Sequence, residues 1–424
     1  MDPISNPYTP NAGAKPPALV GRDELIRKTD ILLRRILSGR TGQSLLATGL
    51  RGVGKTVLLN LFVEMSAGLG YKSAIIECEK AGGLPTKLAL RLRSILFELD
   101  QMGKVSQVVK NAMRTLTSFA ISVSPDGSPS FTMGVAPKAG SGDSGDLAED
   151  LTEVFVALGK AARARDTAVL IALDEVQYLS PDELGAVIMA LHRTNQLELP
   201  VIVIGTGLPQ IAALAGEAKS YAERLFEFPN VGSLSAEDAR RAVSEPAAQL
   251  GVSVSEEALS AIVSATHGYP FFIQVWGAEA WNAAKEGSRR ITGADVAETR
   301  DIVQSKLDAS FFRVRADNLT RAERQYVYAL AALGPGSHRS GEVAAQMGRT
   351  SESVAPLRQA LQRKGMVYGV GRGETAFTVP LFDDYIRRTM DEPATAKKRK
   401  AVPRGTSGSA LRKSSLKNIR DRRK

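Results

Sequence analysis

Through the first half of the chain, short unbroken apolar runs alternate with longer stretches whose apolar residues recur every three or four positions. The runs at Ser44 to Thr48, Ser73 to Cys78, Ala168 to Leu173 and within PVIVIGTGLP lack polar alternation, as strands buried on both faces do. The stretches between them, Leu19 to Leu37, Val57 to Ala67, Leu84 to Leu99, Leu147 to Arg163 and Pro181 to Gln196, have helical spacing. A short strand, Leu225 to Phe228, closes the series. Strands and helices alternating in this way predict a parallel sheet covered on both faces. Phe119 to Val123 and Ser130 to Val135 flank the turn-forming PDGS and predict a hairpin, followed by a flexible GSGDSGD. This insertion, residues 118–146, has no assignable role.

From Ser233 onward the pattern turns helical, with Ser, Thr or Gly at the start of each segment up to residue 309. A third unit follows. Helices at Arg321 to Leu333, Ser340 to Met347 and Ser353 to Lys364 precede two strands, Val367 to Val370 and Ala376 to Val379, joined by GRGE. That order is the order of a winged helix-turn-helix. Ser353 is expected to cap the third helix, which places Pro356 in the first turn, where a missing N–H costs nothing. Val354, Leu357 and Leu361 then form the buried stripe. Gln359 and Arg363 face outward and Arg358 and Gln362 lie at the flanks, with Arg372 at the wing tip.

Composition narrows the function. One cysteine, Cys78, excludes an internal disulfide, and three scattered histidines exclude an ordinary zinc cluster. No apolar run approaches the ~20 residues needed to span a bilayer, and the Pro/Asn-rich start lacks a signal peptide's apolar centre, so a cytoplasmic protein without membrane contact is expected. The net charge of +10 resides in the tail: from Lys397 onward there are twelve Lys/Arg against one acid, which leaves residues 1–396 at −1. Such a tail cannot bury enough apolar surface to fold alone. It reads either as an arm that neutralises nucleic-acid phosphates or as a solvating tail without a dedicated partner.

The chemistry lies at the strand ends. Gly49 to Thr56 reads GLRGVGKT, a complete phosphate-binding loop between a strand and a helix. Gly49, Gly52 and Gly54 let backbone N–H groups turn inward around phosphates, with Val53 between them and Val57 opening the helix. Lys55 reaches β- and γ-phosphates, and Thr56 can ligate Mg2+. The run AVLIALDEVQYL ends a buried strand in paired acids. Asp174, at the ligand-binding end of a parallel strand, suits Mg2+, and Glu175 is the candidate general base for the attacking water. Glu175 also fits a solvated acid at a helix start.

With these motifs in this order, the chain from roughly Ala18 to Asp391 resembles bacterial AAA+ and STAND-like ATPases of the origin-recognition and archaeal-ATPase type. The resemblance implies an α/β fold: a parallel-sheet P-loop ATPase core (residues 18–232), a helical lid subdomain (233–309) and a C-terminal winged helix-turn-helix domain (310–391). Disordered segments are expected at residues 1–17 and 392–424. VGRDEL resembles the family's adenine-side signature, placing Val20 and Gly21 against the base. Gly205-Thr206-Gly207 resembles sensor 1, with Thr206 toward the γ-phosphate or the attacking water. Arg224, in YAERLFEF, stands where such families place an arginine that reaches a neighbouring subunit's nucleotide; a surface salt bridge to Glu223 or Glu227 is the other reading. His267 to Pro270 resembles the GxP that stands in place of the sensor 2 arginine, with Pro270 against the base, so the lid is expected to feel nucleotide by packing more than by charge.

The implied function is an ATP-binding, Mg2+-dependent, hydrolysing switch whose nucleotide state repositions the lid and the winged unit. DNA is the expected target, through the winged helix and basic tail, with ATP-dependent homo-oligomers as a further possibility. A signalling or defence scaffold that assembles with protein partners is the alternative.

Overall fold

The computed structural model describes residues 1–11, 13–101, 106–123, 135–371 and 373–390. The core is a five-stranded parallel sheet, β1 (Ser44–Thr48), β2 (Lys72–Glu77), β3 (Val169–Asp174), β4 (Val201–Gly207) and β5 (Phe226–Glu227), in the order β2-β3-β4-β1-β5. Every residue of β1, β3 and β4 is buried, which is why these strands read as unbroken apolar runs. Helices α1 (Asp23–Leu37), α2 (Lys55–Gly68), α3 (Leu84–Gln101), α4 (Gln107–Ser122), α5 (Leu147–Arg163), α6 (Pro181–Gln196), α7 (Ile211–Ala218) and the single turn α8 (Ala222–Leu225) surround it. One apolar cluster, with Leu45, Leu58 and Phe62, fills one side of the sheet; a second, with Leu92, Phe155 and Val203, fills the other. The register pairs Ala47 with Thr206 and Leu173 with Gly205, so β1, β3 and β4 end side by side.

The expected strand at Phe119 to Val123 is instead the end of α4. Met113, Leu116, Phe119 and Ala120 are buried at helical spacing against α5. The β-favouring run FAISV misled because local propensity yields to a whole apolar helix face. The PDGS turn and most of the second expected strand lie outside the described residues.

A helical region follows: α9 (Ala236–Gln249), β6 (Ser253–Val254), α10 (Glu256–Thr266), α11 (Pro270–Ala283), β7 (Arg290–Ile291) and α12 (Gly293–Lys306). The backbone then runs through one π-helical turn, Leu307–Phe312, straight into α13 (Arg313–Asp317). The C-terminal unit comprises α14 (Arg321–Ala332), β8 (His338–Arg339), α15 (Ser340–Gln346), α16 (Ser351–Arg363), β9 (Val367–Gly369), β10 (Glu374–Phe377) and α17 (Phe382–Thr389). Its antiparallel sheet has the order β8-β10-β9.

Two expectations fail here. Helix α16 begins at Ser351, not after a Ser353 cap: Ser353 Oγ donates to the Thr350 carbonyl 2.8 Å away, and Pro356 lies inside the helix. The lost bond is tolerable because Pro356 is exposed and water can reach the carbonyl one turn back. Val354 and Leu361 are buried and Leu357 half-buried, while Gln359 and Arg363 are exposed. Arg372 lies outside the described residues.

The second failure is the disordered N-terminal arm. Tyr8 is buried and its hydroxyl donates to the Val243 carbonyl at 2.6 Å, while Trp281 Nε1 donates to the Asp2 carbonyl at 2.9 Å. Gly277 makes room for the Tyr8 ring, since a Cβ there would lie 2.6 Å from it. A Pro/Asn-rich average hides one well-placed aromatic anchor. Among the described residues no helix is long and apolar enough to cross a membrane.

Candidate functional site

The segments that follow β1 and β3 open into a cavity of about 550 Å³, within the range of small-molecule sites. Arg51 to Gly54 of the phosphate loop line one side of it, while Gly49 lies behind them. A Cβ at Gly49 would lie 2.2 Å from the Val231 carbonyl oxygen, and Gly54 caps α2 with φ of +91°, so side chains are excluded where the loop must curl. Gly52, Val53, Gly54, Lys55, Thr56 and Val57 line the cavity at the start of α2. Lys55 is buried, with Nζ donating to the carbonyls of Gly49 at 3.0 Å and Leu50 at 2.8 Å. Burial lowers its pKa to about 8, against the opposing pull of Glu175 and Asp174.

Asp174 is the hub of the site. Thr56 Oγ1 donates to its Oδ2 at 2.7 Å, the Thr206 hydroxyl donates to its Oδ1, and the Glu175 N–H donates to Oδ1 at 2.8 Å. The structure thus joins three residues from distant parts of the sequence. Thr56 and Asp174 present adjacent hard oxygens, as a divalent cation bound alongside phosphates requires. Glu175 sits in the left-handed region at φ +54°, uncommon for a non-glycine residue and worth reading as a held geometry. Its carboxylate accepts from Gln177 and lies 3.9 Å from the Arg51 guanidinium. Glu175 also lines the cavity, which a merely solvated acid need not do.

On the far wall lie Leu19, Val20, Arg22 and Pro270. Gly21 does not line the cavity; at φ +68° it turns the chain, and a Cβ would strike the Asp238 carboxylate. Arg22 donates to the Gly232 carbonyl at 2.5 Å, and burial lowers its pKa. Pro270 opens α11 at its first position, and the adjoining residues clasp the loop: Tyr269 OH donates to the Arg51 carbonyl at 2.6 Å and the Phe271 N–H to that of Gly52 at 3.2 Å.

Arg224 is apart from this cavity. It is exposed on α8, and among the described residues it forms no ion pair; Glu227 pairs with Lys28 instead. The surface salt bridge is therefore not what holds it.

Several cavity residues escape the sequence. Thr9, Pro10, Asn11, Gly13 and Ala14 from the N-terminal segment form one wall, Gln274 another, and two arginines, Arg51 and Arg315, project inward. Both lie outside the expected lid, residues 233–309: Arg51 is in the phosphate loop and Arg315 on α13. Arg51 was in view as a variable position of the loop motif; for Arg315 no local pattern exists.

The fold and this site define a P-loop nucleoside triphosphatase. Residues 18–204 match the family described as AAA ATPase domain, and residues 309–386 match one described as Domain of unknown function (DUF8462). The chain carries an AAA ATPase domain with a P-loop nucleoside triphosphatase site. No curated protein matches it. Among solved structures it is similar to the Walker-type ATPase of Pyrococcus abyssi, at 16% identity and a TM-score of 0.54 over 87% of this chain and 96% of that one. It is also similar to Aeropyrum pernix Orc1 in complex with DNA (16%, TM-score 0.42, 90% and 95%) and to Pyrobaculum aerophilum Cdc6p (14%, TM-score 0.43, 92% and 97%).

Proposed function

We propose that this chain is an ATP-driven switch in which the nucleotide sets the position of the C-terminal winged unit, with DNA as its target. The observation that carries this reading is a direct contact between phosphate loop and C-terminal unit. The Arg51 N–H donates to the Thr378 carbonyl at 3.2 Å, and the Arg51 guanidinium lies against Gly365, where an added Cβ would be 2.9 Å from Nη2. A loop that changes shape around phosphates must therefore disturb its contact with the unit.

In the site, Lys55 and the loop N–H groups hold the phosphates, Val20 and Pro270 flank the base, and Thr56 and Asp174 hold Mg2+, which supplies charge neutralisation on the phosphates. Glu175 takes the proton of the attacking water, and Thr206, already bonded to Asp174, orients either that water or the terminal phosphate. Arg224, exposed and without an ion pair among the described residues, serves a neighbouring subunit in an ATP-dependent assembly.

DNA binding draws on the exposed Gln359 and Arg363 of α16, side chains suited to base edges, and on the twelve Lys/Arg from Lys397 onward, suited to phosphates. A protein partner is the second reading, favoured by Glu352, an exposed acid in the first turn of α16 that would repel phosphates. Duplex binding by the chain cut after Thr395, measured at low salt with ATP and then ADP, separates the two. Binding that persists, depends on nucleotide and shows a flatter salt slope supports DNA as the target; no binding at all supports the protein partner.

A further inference from the structure

The arginine at position 315 stands near the C-terminal end of a helix that begins in the lid region and ends at the C-terminal unit. Helix α12, the π-helical turn and α13 form one continuous rod, and the π turn lies at the nucleotide cavity, where Ser310, Phe311 and Arg315 reach the lining. A π turn breaks the 3.6-residue repeat and commonly marks a functional position. Phe311 and Arg315, four residues apart along the rod, share the cavity face.

Arg315 is held there by apolar rather than acidic partners. Its guanidinium carbon lies 4.2 Å from the centre of the Phe311 ring, and the guanidinium donates to the Phe311 carbonyl. Among the described residues no carboxylate lies within ion-pair distance of it. Burial and the nearby Arg51 pull its pKa down to about 10. A half-buried cation beside a second arginine and facing a cavity lacks a counter-ion among the described residues.

The position of that missing anion follows from the neighbours. Arg51 is hydrogen-bonded to Tyr178 at 2.7 Å and lies 3.9 Å from Glu175, and Arg315 lies close enough to Arg51 and Tyr178 to interact with both, so the two arginines stand together at the end of the cavity that Glu175 lines. Phe311 stacks on Phe271 with ring centres 4.8 Å apart, and the Phe271 N–H is bonded to Gly52 of the phosphate loop. A chain of direct contacts thus runs from Arg315 to the loop.

We infer that Arg315 is a ligand of the terminal phosphate of a bound nucleoside triphosphate, and that through it the helical rod and the C-terminal unit distinguish triphosphate from diphosphate. The inference rests on the nucleotide reading above and adds the residue that makes the switch respond to the third phosphate. Loss of that phosphate leaves Arg315 unpaired again, and the rod is freed from the core.

The test compares ATP and ADP affinities, by titration calorimetry with Mg2+, for the full chain and for R315A and R315K. R315A should lose tenfold or more in ATP affinity and less than threefold for ADP, with R315K recovering part of the loss, since lysine keeps the charge but not the fork. An unchanged ratio of ATP to ADP affinity in both variants overturns the inference while leaving nucleotide binding intact. If the wild-type chain binds neither nucleotide, the functional reading fails and this inference with it. Should the variants not fold, the wild-type chain decides: phenylglyoxal modification of Arg315, mapped by mass spectrometry, should be blocked by ATP and not by ADP, and equal modification with both overturns the inference.

Discussion

Lys55 makes the nucleotide site sensitive to proton concentration. In the free protein its ammonium is buried against two carbonyls, and burial holds its pKa at about 8 in place of 10.5. Phosphates placed beside it favour the charged form and raise that value again. Binding therefore takes up a proton wherever the free site has lost one, so affinity is full below about pH 8 and falls as pH rises toward the bound-state pKa. With one linked proton the loss approaches tenfold per pH unit, roughly 25-fold between pH 7.5 and 9.5, or about 2 kcal/mol. Calorimetry at pH 8.5 in buffers of different ionisation enthalpy should show uptake of about three quarters of a proton per ATP. In Lys55→Arg the guanidinium stays charged and the slope should disappear, whatever happens to the absolute affinity. A wild-type affinity that stays flat from pH 7.5 to 9.5, or an equal slope in the arginine variant, would refute the assignment of the buried charge to Lys55.

Glu175→Gln should retain ATP affinity within a few-fold and lose on the order of a hundredfold or more in phosphate release, because only the base is removed; wild-type turnover would remove Glu175 from catalysis. If Arg224 acts across a subunit boundary, Arg224→Ala should hydrolyse slowly at any concentration and regain activity when mixed with Glu175→Gln, and the absence of recovery in the mixture counts against that role. Tyr8→Ala should lower stability by roughly 3 kcal/mol and speed nucleotide release, since it unpins the segment that walls the cavity; stopped-flow displacement of a fluorescent ATP analogue checks this, and an unchanged release rate would show the segment to be only a structural brace.

The nucleotide site was legible in the sequence where one short segment contains its whole geometry. GLRGVGKT specifies a turn, an anion cradle and a lysine within eight residues, and the strands around it are marked by apolar runs because both sheet faces are covered. Asp174 and Glu175 could be found for the same reason, at the end of such a run. The join of Thr56, Asp174 and Thr206 could be anticipated only through family resemblance, since it depends on β4 lying between β1 and β3.

What the tertiary structure decided is everything brought to the cavity from far along the chain. The FAISV segment is a helix because a whole face packs on α5, against its local β preference. The N-terminal segment is a cavity wall because Tyr8 fits beside Gly277, a long-range match without a local pattern. Arg315 lies more than 250 residues from the phosphate loop and resembles any surface arginine until the rod that carries it is laid across the site. Local chemistry is written in adjacent residues, whose spacing the backbone fixes. The placement of a lone charge or ring is set by the packing of whole elements, which no short window of sequence contains.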